Sequence, residues 1–227
     1  MYYPGQKREN QDAVCCGRSG RYSVISLADG VSSCKRAGQG ARTACEAVTN
    51  LLLKKAGYFL EADQSRAARL ALSHIRYELN RRAEEDAEKI EEYSSTVASV
   101  LVDKKKGRLL CLSLGDSLIL AVGYGRCRVL AAPSDSREGC CVTTTCGAEG
   151  LILAKVEETD FLDSVVIFSD GAWRQMYAGS RLKPEAAALL ASSDFEGLKA
   201  YLAAQDGPDD GSFAAVELRR RNRRRTA

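Results

Sequence analysis

Two apolar runs, VISLA and SVVIFS, each close on an Asp-Gly pair, Asp29-Gly30 and Asp170-Gly171. This repeated strand-then-aspartate pattern is the feature that most limits what the chain can become. Short runs rich in β-branched and aliphatic residues and bounded by Gly or Asp read as strands. An Asp that follows such a run is delivered to the rim of a sheet, and the Gly after it lets the backbone turn sharply or approach another group closely. Further strand-like segments are Tyr22–Ala28, Thr96–Val102, Leu109–Leu114, Ser117–Val122, Val165–Phe168 and Ser212–Leu218. The KKKG sequence at 104–107 lies between two of them and reads as a hairpin turn, with Gly107 supplying the unusual backbone angles and the lysines in water.

Helical periodicity falls in separate blocks. One helix is expected from about Gly40 to Lys55, with Ala41, Cys45, Val48 and Leu52 on one stripe. A second is expected from about Ala62 to Glu92. There Ala67, Leu70, His74 and Tyr77 share a stripe beside Ala71 and Ile75, and 81–92 carries alternating charge as a solvated face does. Later helices are expected over Pro184–Ser192, where proline suits the first turn, and Phe195–Ala204. Strands early and late with helices in blocks indicate an α+β layer fold rather than alternating βαβ units. No internal repeat or linker interrupts residues 1–218, which read as one domain, and 219–227 reads as a basic, disordered tail.

The formal charge of +3 reflects that tail, RRRNRRR from Arg219 to Arg225; without its six arginines the remainder carries −3. A short terminal basic run is ordinarily a solvated end, so neither a nucleic acid nor a membrane partner is expected, and a monomer is. No long uncharged apolar stretch and no basic-then-apolar leader pattern occurs, which makes the cytoplasm the expected location. The nine cysteines are odd in number and lack paired zinc-type spacing, so reduced thiols are expected, with Cys45 and Cys111 packed as small hydrophobes. His74, the only histidine, stands on an apolar stripe away from every acidic motif and reads as a packed helix residue.

Four acidic motifs adjoin strand-like runs: NQDA (10–13), LADGV (27–31), FSDGA (168–172) and PDDGS (208–212). Hard divalent cations such as Mg²⁺ and Mn²⁺ take oxygen ligands, and a few carboxylates with a backbone carbonyl suit them. The lack of a His or Cys cluster argues against zinc.

RENQDA (8–13), LADGVSSCK (27–35), SST with its strand (94–102), LGDS (114–117), VIFSDG (166–171) and DDGS with its strand (209–216) together resemble the ordered motif series of the protein phosphatase 2C family, in its short bacterial form. The resemblance runs from Arg8 to Leu218. It implies a central β-sandwich of two mostly antiparallel sheets flanked by helical layers, four layers in the order αββα. It also implies a metal-dependent phosphatase that releases phosphate from phosphoserine and phosphothreonine proteins in signalling, using a hydroxide held by two Mn²⁺ or Mg²⁺ ions. Asp29 would bridge both metals, Gly30 would offer its carbonyl to one, and Asp12, Asp170 and Asp209 would complete the shells. Asp116, of LGDS, would help hold a third, weaker metal. An upstream cation, Lys7 or Arg8, would grip the phosphate.

The sequence departs from that family in places. Gln11 stands where many members have glutamate, and VSSCKR (31–36) stands where many carry a Gly-Gly-His stretch whose histidine protonates the leaving group. Lys35, a metal-bound water or the substrate alkoxide is left for that task. A catalytically impaired phosphatase-fold module that binds phosphoproteins or partners in a regulatory role is therefore the alternative. The Cys15…Arg21 spacing matches cysteine-dependent phosphatases, but that chemistry needs the loop to open a helix, and here it feeds a strand.

Overall fold

The computed structural model describes residues 2–3, 11–133, 144–147, 151–156, 158–205 and 211–218. Two five-stranded antiparallel sheets dominate it. The first runs in the order β2 (Asp12–Ser19), β3 (Tyr22–Asp29), β4 (Val97–Asp103), β5 (Arg108–Leu114), β8 (Ile152–Val156). The second runs β1 (Tyr2–Tyr3), β12 (Gly211–Glu217), β9 (Ser164–Phe168), β6 (Leu118–Gly123), β7 (Arg126–Ala131). A two-stranded ribbon, β10 (Tyr177–Ala178) with β11 (Arg181–Leu182), stands apart.

Three apolar layers explain why the strands read as continuous hydrophobic runs rather than alternating ones: both faces of each sheet are covered. Between the sheets lie Ile25, Leu27, Val100, Val102, Leu109 and Cys111 from one side and Ile119, Ala121, Val165, Ile167 and Val216 from the other. Residues of opposite parity, Val24, Ala28, Leu101, Leu110 and Leu112, face α1 (Ala37–Lys54), α2 (Ala56–Glu61) and α3 (Gln64–Glu85). On the far side Leu118, Leu120, Val122, Val166, Phe168 and Phe213 meet α4 (Asp170–Met176), α5 (Pro184–Ala191) and α6 (Phe195–Ala203). The result is the αββα arrangement that the family resemblance implies. No described helix is long and apolar enough to cross a membrane.

Local chemistry sets the element ends. The KKKG turn joins β4 to β5 with Gly107 at φ +60°, and the Asp103 carboxylate accepts from the Lys105 and Lys106 amides at 3.0 and 3.1 Å. Helix α3 begins at an Asp63 cap, whose side chain accepts from the Arg66 amide at 3.1 Å. It stops at Glu85, short of the Glu92 expected from its charge pattern. Ala87 takes a left-handed φ of 52°, the Glu88 amide turns back to the Ala83 carbonyl, and a 3₁₀ turn follows over Ile90–Tyr93. The buried Tyr93 hydroxyl donates to Asp86 at 2.6 Å and holds that stop in place. On α3, Ala67, Ala71 and Ile75 are buried and Leu70 packs against them, but Tyr77 is 64% exposed and leaves the predicted stripe. His74 is half-buried. Cys45 and Cys111 are buried free thiols.

Gly40 on α1 faces the Tyr93 backbone so closely that an added Cβ would collide with that carbonyl. Gly40→Ala should cost about 1–3 kcal/mol of stability. Gly57→Ala, in helix α2 with only the Tyr22 hydroxyl 3.9 Å from the new Cβ, should instead stabilise by roughly 0.5–1 kcal/mol. Thermal or urea unfolding of the two variants separates these signs.

Candidate active site

The site forms where strand ends of the two sheets meet. Asp12 opens β2 and Asp29 closes β3, and the register sets them directly opposite each other. Directly paired residues on antiparallel strands project to the same face with Cβ atoms about 4.5–5.5 Å apart. The second sheet supplies Asp170, the first residue of α4, immediately after β9. The Asp29 carboxyl lies within hydrogen-bonding reach of both Asp12 and Asp170. Burial first, then the charges of Asp12 and Asp170, push its pKa well above the usual carboxylate range.

The backbone around Asp29 is clamped. Its amide donates to Thr96 Oγ1 at 3.1 Å and its carbonyl accepts from the Thr96 amide at 2.8 Å. Gly30 donates to the Gln11 carbonyl at 3.1 Å and bridges Ser95. A Cβ at Gly30 would sit 2.5 Å from the Ala37 carbonyl. The glycine of this motif is thus required by the close passage of α1, with no left-handed backbone involved. The Gly171 amide sits 2.6 Å from Asp170 Oδ1 inside the first turn of α4. In FSDGA, therefore, the aspartate starts a helix, whereas in LADGV it closes a strand.

Two side chains of that helix escaped the sequence reading. Arg174 pairs with Asp170 across one helical turn at 2.9 Å, and its guanidinium lies 5.6 Å from the centre of the Trp173 ring. Trp173 Nε1 donates to the Asp116 carbonyl at 2.9 Å, which ties α4 to the β5–β6 loop. The i,i+4 spacing in DGAWR was the available signal, once a helix is allowed there. Asp116 adjoins Asp170: burial first and then the charge of Asp170 raise its pKa, with Arg174 opposing.

Among the described residues no group of three or more Asp, Glu, His or Cys side chains is arranged to hold a metal ion. What is present is a half-buried trio of mutually repelling acids, with Gln11 Oε1, next to Asp12 in sequence, buried and without a hydrogen-bond partner among the described residues. A hard cation fits that donor set, since it offsets the repulsion and takes oxygen ligands. Asp209, Lys7 and Arg8 lie outside the described residues. Strand β12, which follows Asp209, is joined to the root of α4: the Ser169 amide donates to the Ser212 carbonyl at 3.0 Å, and the Ser212 amide to Ser169 Oγ at 2.9 Å.

The loop 31–36 is pinned from outside. The Lys35 amide donates to Glu92 Oε2 at 2.9 Å and the Arg36 amide to the Glu92 carbonyl at 3.1 Å. Lys35 lines the same groove as Asp12, whereas His74 does not. Cys15 lies within β2, not at a helix start, and its thiol contacts that of Cys45, which pulls the Cys15 pKa down and pushes that of Cys45 up.

A family model described as "Protein phosphatase 2C" matches residues 5–205. No curated protein matches significantly. Solved structures do. A bacterial serine phosphatase is 14% identical with a TM-score of 0.70 over 96% of each chain. The Mycobacterium tuberculosis serine/threonine phosphatase PstP/Ppp is 15% identical with a TM-score of 0.69 over 97% of each. RsbX, solved in complex with magnesium, is 13% identical with a TM-score of 0.59, covering 95% of this chain and 91% of its own. At these identities the structural likenesses establish the fold.

Asp29→Asn removes the central charge of the trio while keeping its shape. The variant should unfold at a higher temperature than the wild type in EDTA, and it should lose the upward shift that added Mn²⁺ or Mg²⁺ gives the wild type. Differential scanning calorimetry with and without metal reads both effects.

Proposed function

Because the chain belongs to the protein phosphatase 2C family, we propose that it hydrolyses phosphoserine and phosphothreonine monoesters of proteins at the aspartate trio, with Mg²⁺ or Mn²⁺ as cofactor. The observation that carries this is the convergence of three acids from two sheets, Asp12 opposite Asp29 across the β2–β3 register and Asp170 at the start of α4, a charge arrangement that a purely structural protein has no reason to keep. The magnesium in the RsbX structure supports the choice of metal class.

Asp12, Asp29, Asp170, the Gly30 carbonyl and Asp209 would hold two ions, and Asp116 the weaker third. Divalent ions in such a site supply a nucleophilic water at neutral pH and offset charge on the phosphoryl oxygens. The chain's own groups prepare that chemistry. Thr96 fixes the backbone of Asp29 from both sides, so the main chain that carries the central carboxylate stays in register with Asp12. Arg174 pairs with Asp170, which biases its rotamer and partly offsets its charge. Lys7 or Arg8 would grip the phosphate, and Lys35, which lines the groove with Asp12, or a metal-bound water would give a proton to the departing alkoxide, unless the alkoxide leaves unprotonated.

The second reading is a module that binds phosphoproteins with little turnover. It is favoured by one observation, that 31–36 contains no histidine and the only histidine stands on α3.

The purified protein should hydrolyse para-nitrophenyl phosphate and phosphoserine peptides only with added Mn²⁺ or Mg²⁺, lose this in EDTA, and keep most of it after iodoacetamide. Asp170→Asn should lower kcat/KM by at least about a hundredfold, of the order set by losing one element of a preorganised electrostatic site. Full activity in EDTA would sink the metal mechanism. Phosphopeptide binding by calorimetry with no turnover at any metal concentration would establish the second reading.

A further inference from the structure

A groove of about 1,020 Å³ runs from Asp12 along β2 and the N-terminal half of α1, past Lys35, Arg36, Arg42 and Arg82. Its charges are unevenly matched. Arg82 is committed to Glu85 and Asp86, at 3.6 and 3.1 Å. Lys35, Arg36 and Arg42 have no carboxylate within ion-pair distance among the described residues, although Lys35 and Arg42 are exposed and free to find one. Arg42 shares the groove lining with Cys15 of β2 and with Glu46. The first turn of α1 contains no acidic residue and its cap provides no side-chain acceptor, so the positive end of an 18-residue helix adds to the same field. Three acids temper it: Glu46, one turn beyond Arg42, at the far end; the Glu92 carboxylate, which accepts from the Lys35 amide; and Asp86, held ionised first by the Tyr93 hydroxyl and in part by the charges of Arg82 and Arg36.

Resting on the phosphatase reading above, we propose that this groove is the docking site for acidic residues flanking the phosphorylated residue of a protein substrate, with Arg36 and Arg42 determining specificity. A phosphoserine held at the trio has its neighbouring residues within reach of the groove, because the groove begins at Asp12 itself. Carboxylates there meet unpaired cations. Lysine or arginine flanks meet like charge. Small esters with no flanks meet only the Asp12 and Lys35 end of the groove and do not extend along it to Arg42. A preference made of exposed charges acts mainly on encounter and KM and weakens with salt.

The test compares phosphoserine peptides with Asp/Glu, Ala/Gly or Lys flanks, and para-nitrophenyl phosphate, on the full chain with Mn²⁺ at low ionic strength. The wild type should favour the acidic over the neutral peptide by about tenfold or more in kcat/KM, through KM, with the gap shrinking in 0.5 M salt. Arg42→Glu and Arg36→Gln should each collapse the ratio of acidic peptide to para-nitrophenyl phosphate, while Arg42→Lys largely retains it. Equal wild-type rates on acidic and neutral peptides, or an Arg42→Glu loss of the same size on all substrates, would overturn the proposal. Should no substrate turn over with any metal, the phosphatase reading falls. Fluorescence anisotropy of the labelled acidic phosphopeptide then decides the groove: affinity that Arg42→Glu abolishes upholds it, and affinity that Arg42→Glu leaves intact overturns it.

Discussion

Three carboxyls brought together by two different sheets govern this structure. Asp12 and Asp29 face each other across the β2–β3 register, and Asp170 arrives from the end of β9 in the opposing sheet. Like charges directly opposite on neighbouring strands are destabilising, and burial raises the cost. Such a cluster persists only if the surrounding framework fixes it. Here that framework is the apolar layer between the sheets. Leu27 and Ile167 are buried in it a few residues before Asp29 and Asp170, so the packing that joins the sheets also sets the separation of the acids. Fold and site share one cause: the strands must end where the core ends, and the aspartates sit at those ends.

Rigidity is added by hydrogen bonds rather than by further apolar contact. Thr96 grips Asp29 through both its amide and carbonyl, Gly30 is squeezed against the start of α1, and Ser169 and Ser212 lace β12 to the root of α4. Each device acts on the main chain beside an acidic residue and leaves the carboxylate itself uncommitted. Arg174 is the exception, since it engages Asp170 directly. That pair is more than half exposed on the arginine side, so it biases the rotamer without locking the group in a buried ion pair.

Much of this was legible in the sequence because sandwich strands with two covered faces announce themselves as continuous apolar runs. All six strand segments expected from such runs are present within one or two residues of their predicted ends. Strand β2 left no comparable signal. DAVCCGRS is an edge strand with half-exposed residues and few β-branched side chains, so propensity alone does not mark it. The two Asp-Gly pairs looked equivalent in one dimension yet differ in three: Asp29 ends a strand and Gly30 is needed for a close approach, while Asp170 starts a helix. The premature end of α3 was equally hidden. Ala87 adopts a conformation usually reserved for glycine because Tyr93 and the returning chain enforce it, a tertiary constraint that no local pattern carries.

The division of charge across the site follows from where each sign resides. The acids sit at or just beyond strand ends, half-buried and fixed by the core, whereas the cations Lys35, Arg36 and Arg42 occupy the loop before α1 and its exposed first turns. Strand-end groups cannot move and are suited to holding compact cations. Long side chains on a helix surface keep rotamer freedom and are suited to meeting an irregular polypeptide. Glu92 joins the two halves by holding the backbone of Lys35 and Arg36, so the basic loop stays beside Asp12 while its side chains remain free. A histidine in that loop would supply one titrating group at one point. The sequence VSSCKR instead supplies permanent positive charge along the groove wall, which exchanges local acid–base chemistry for attraction over the length of an approaching chain.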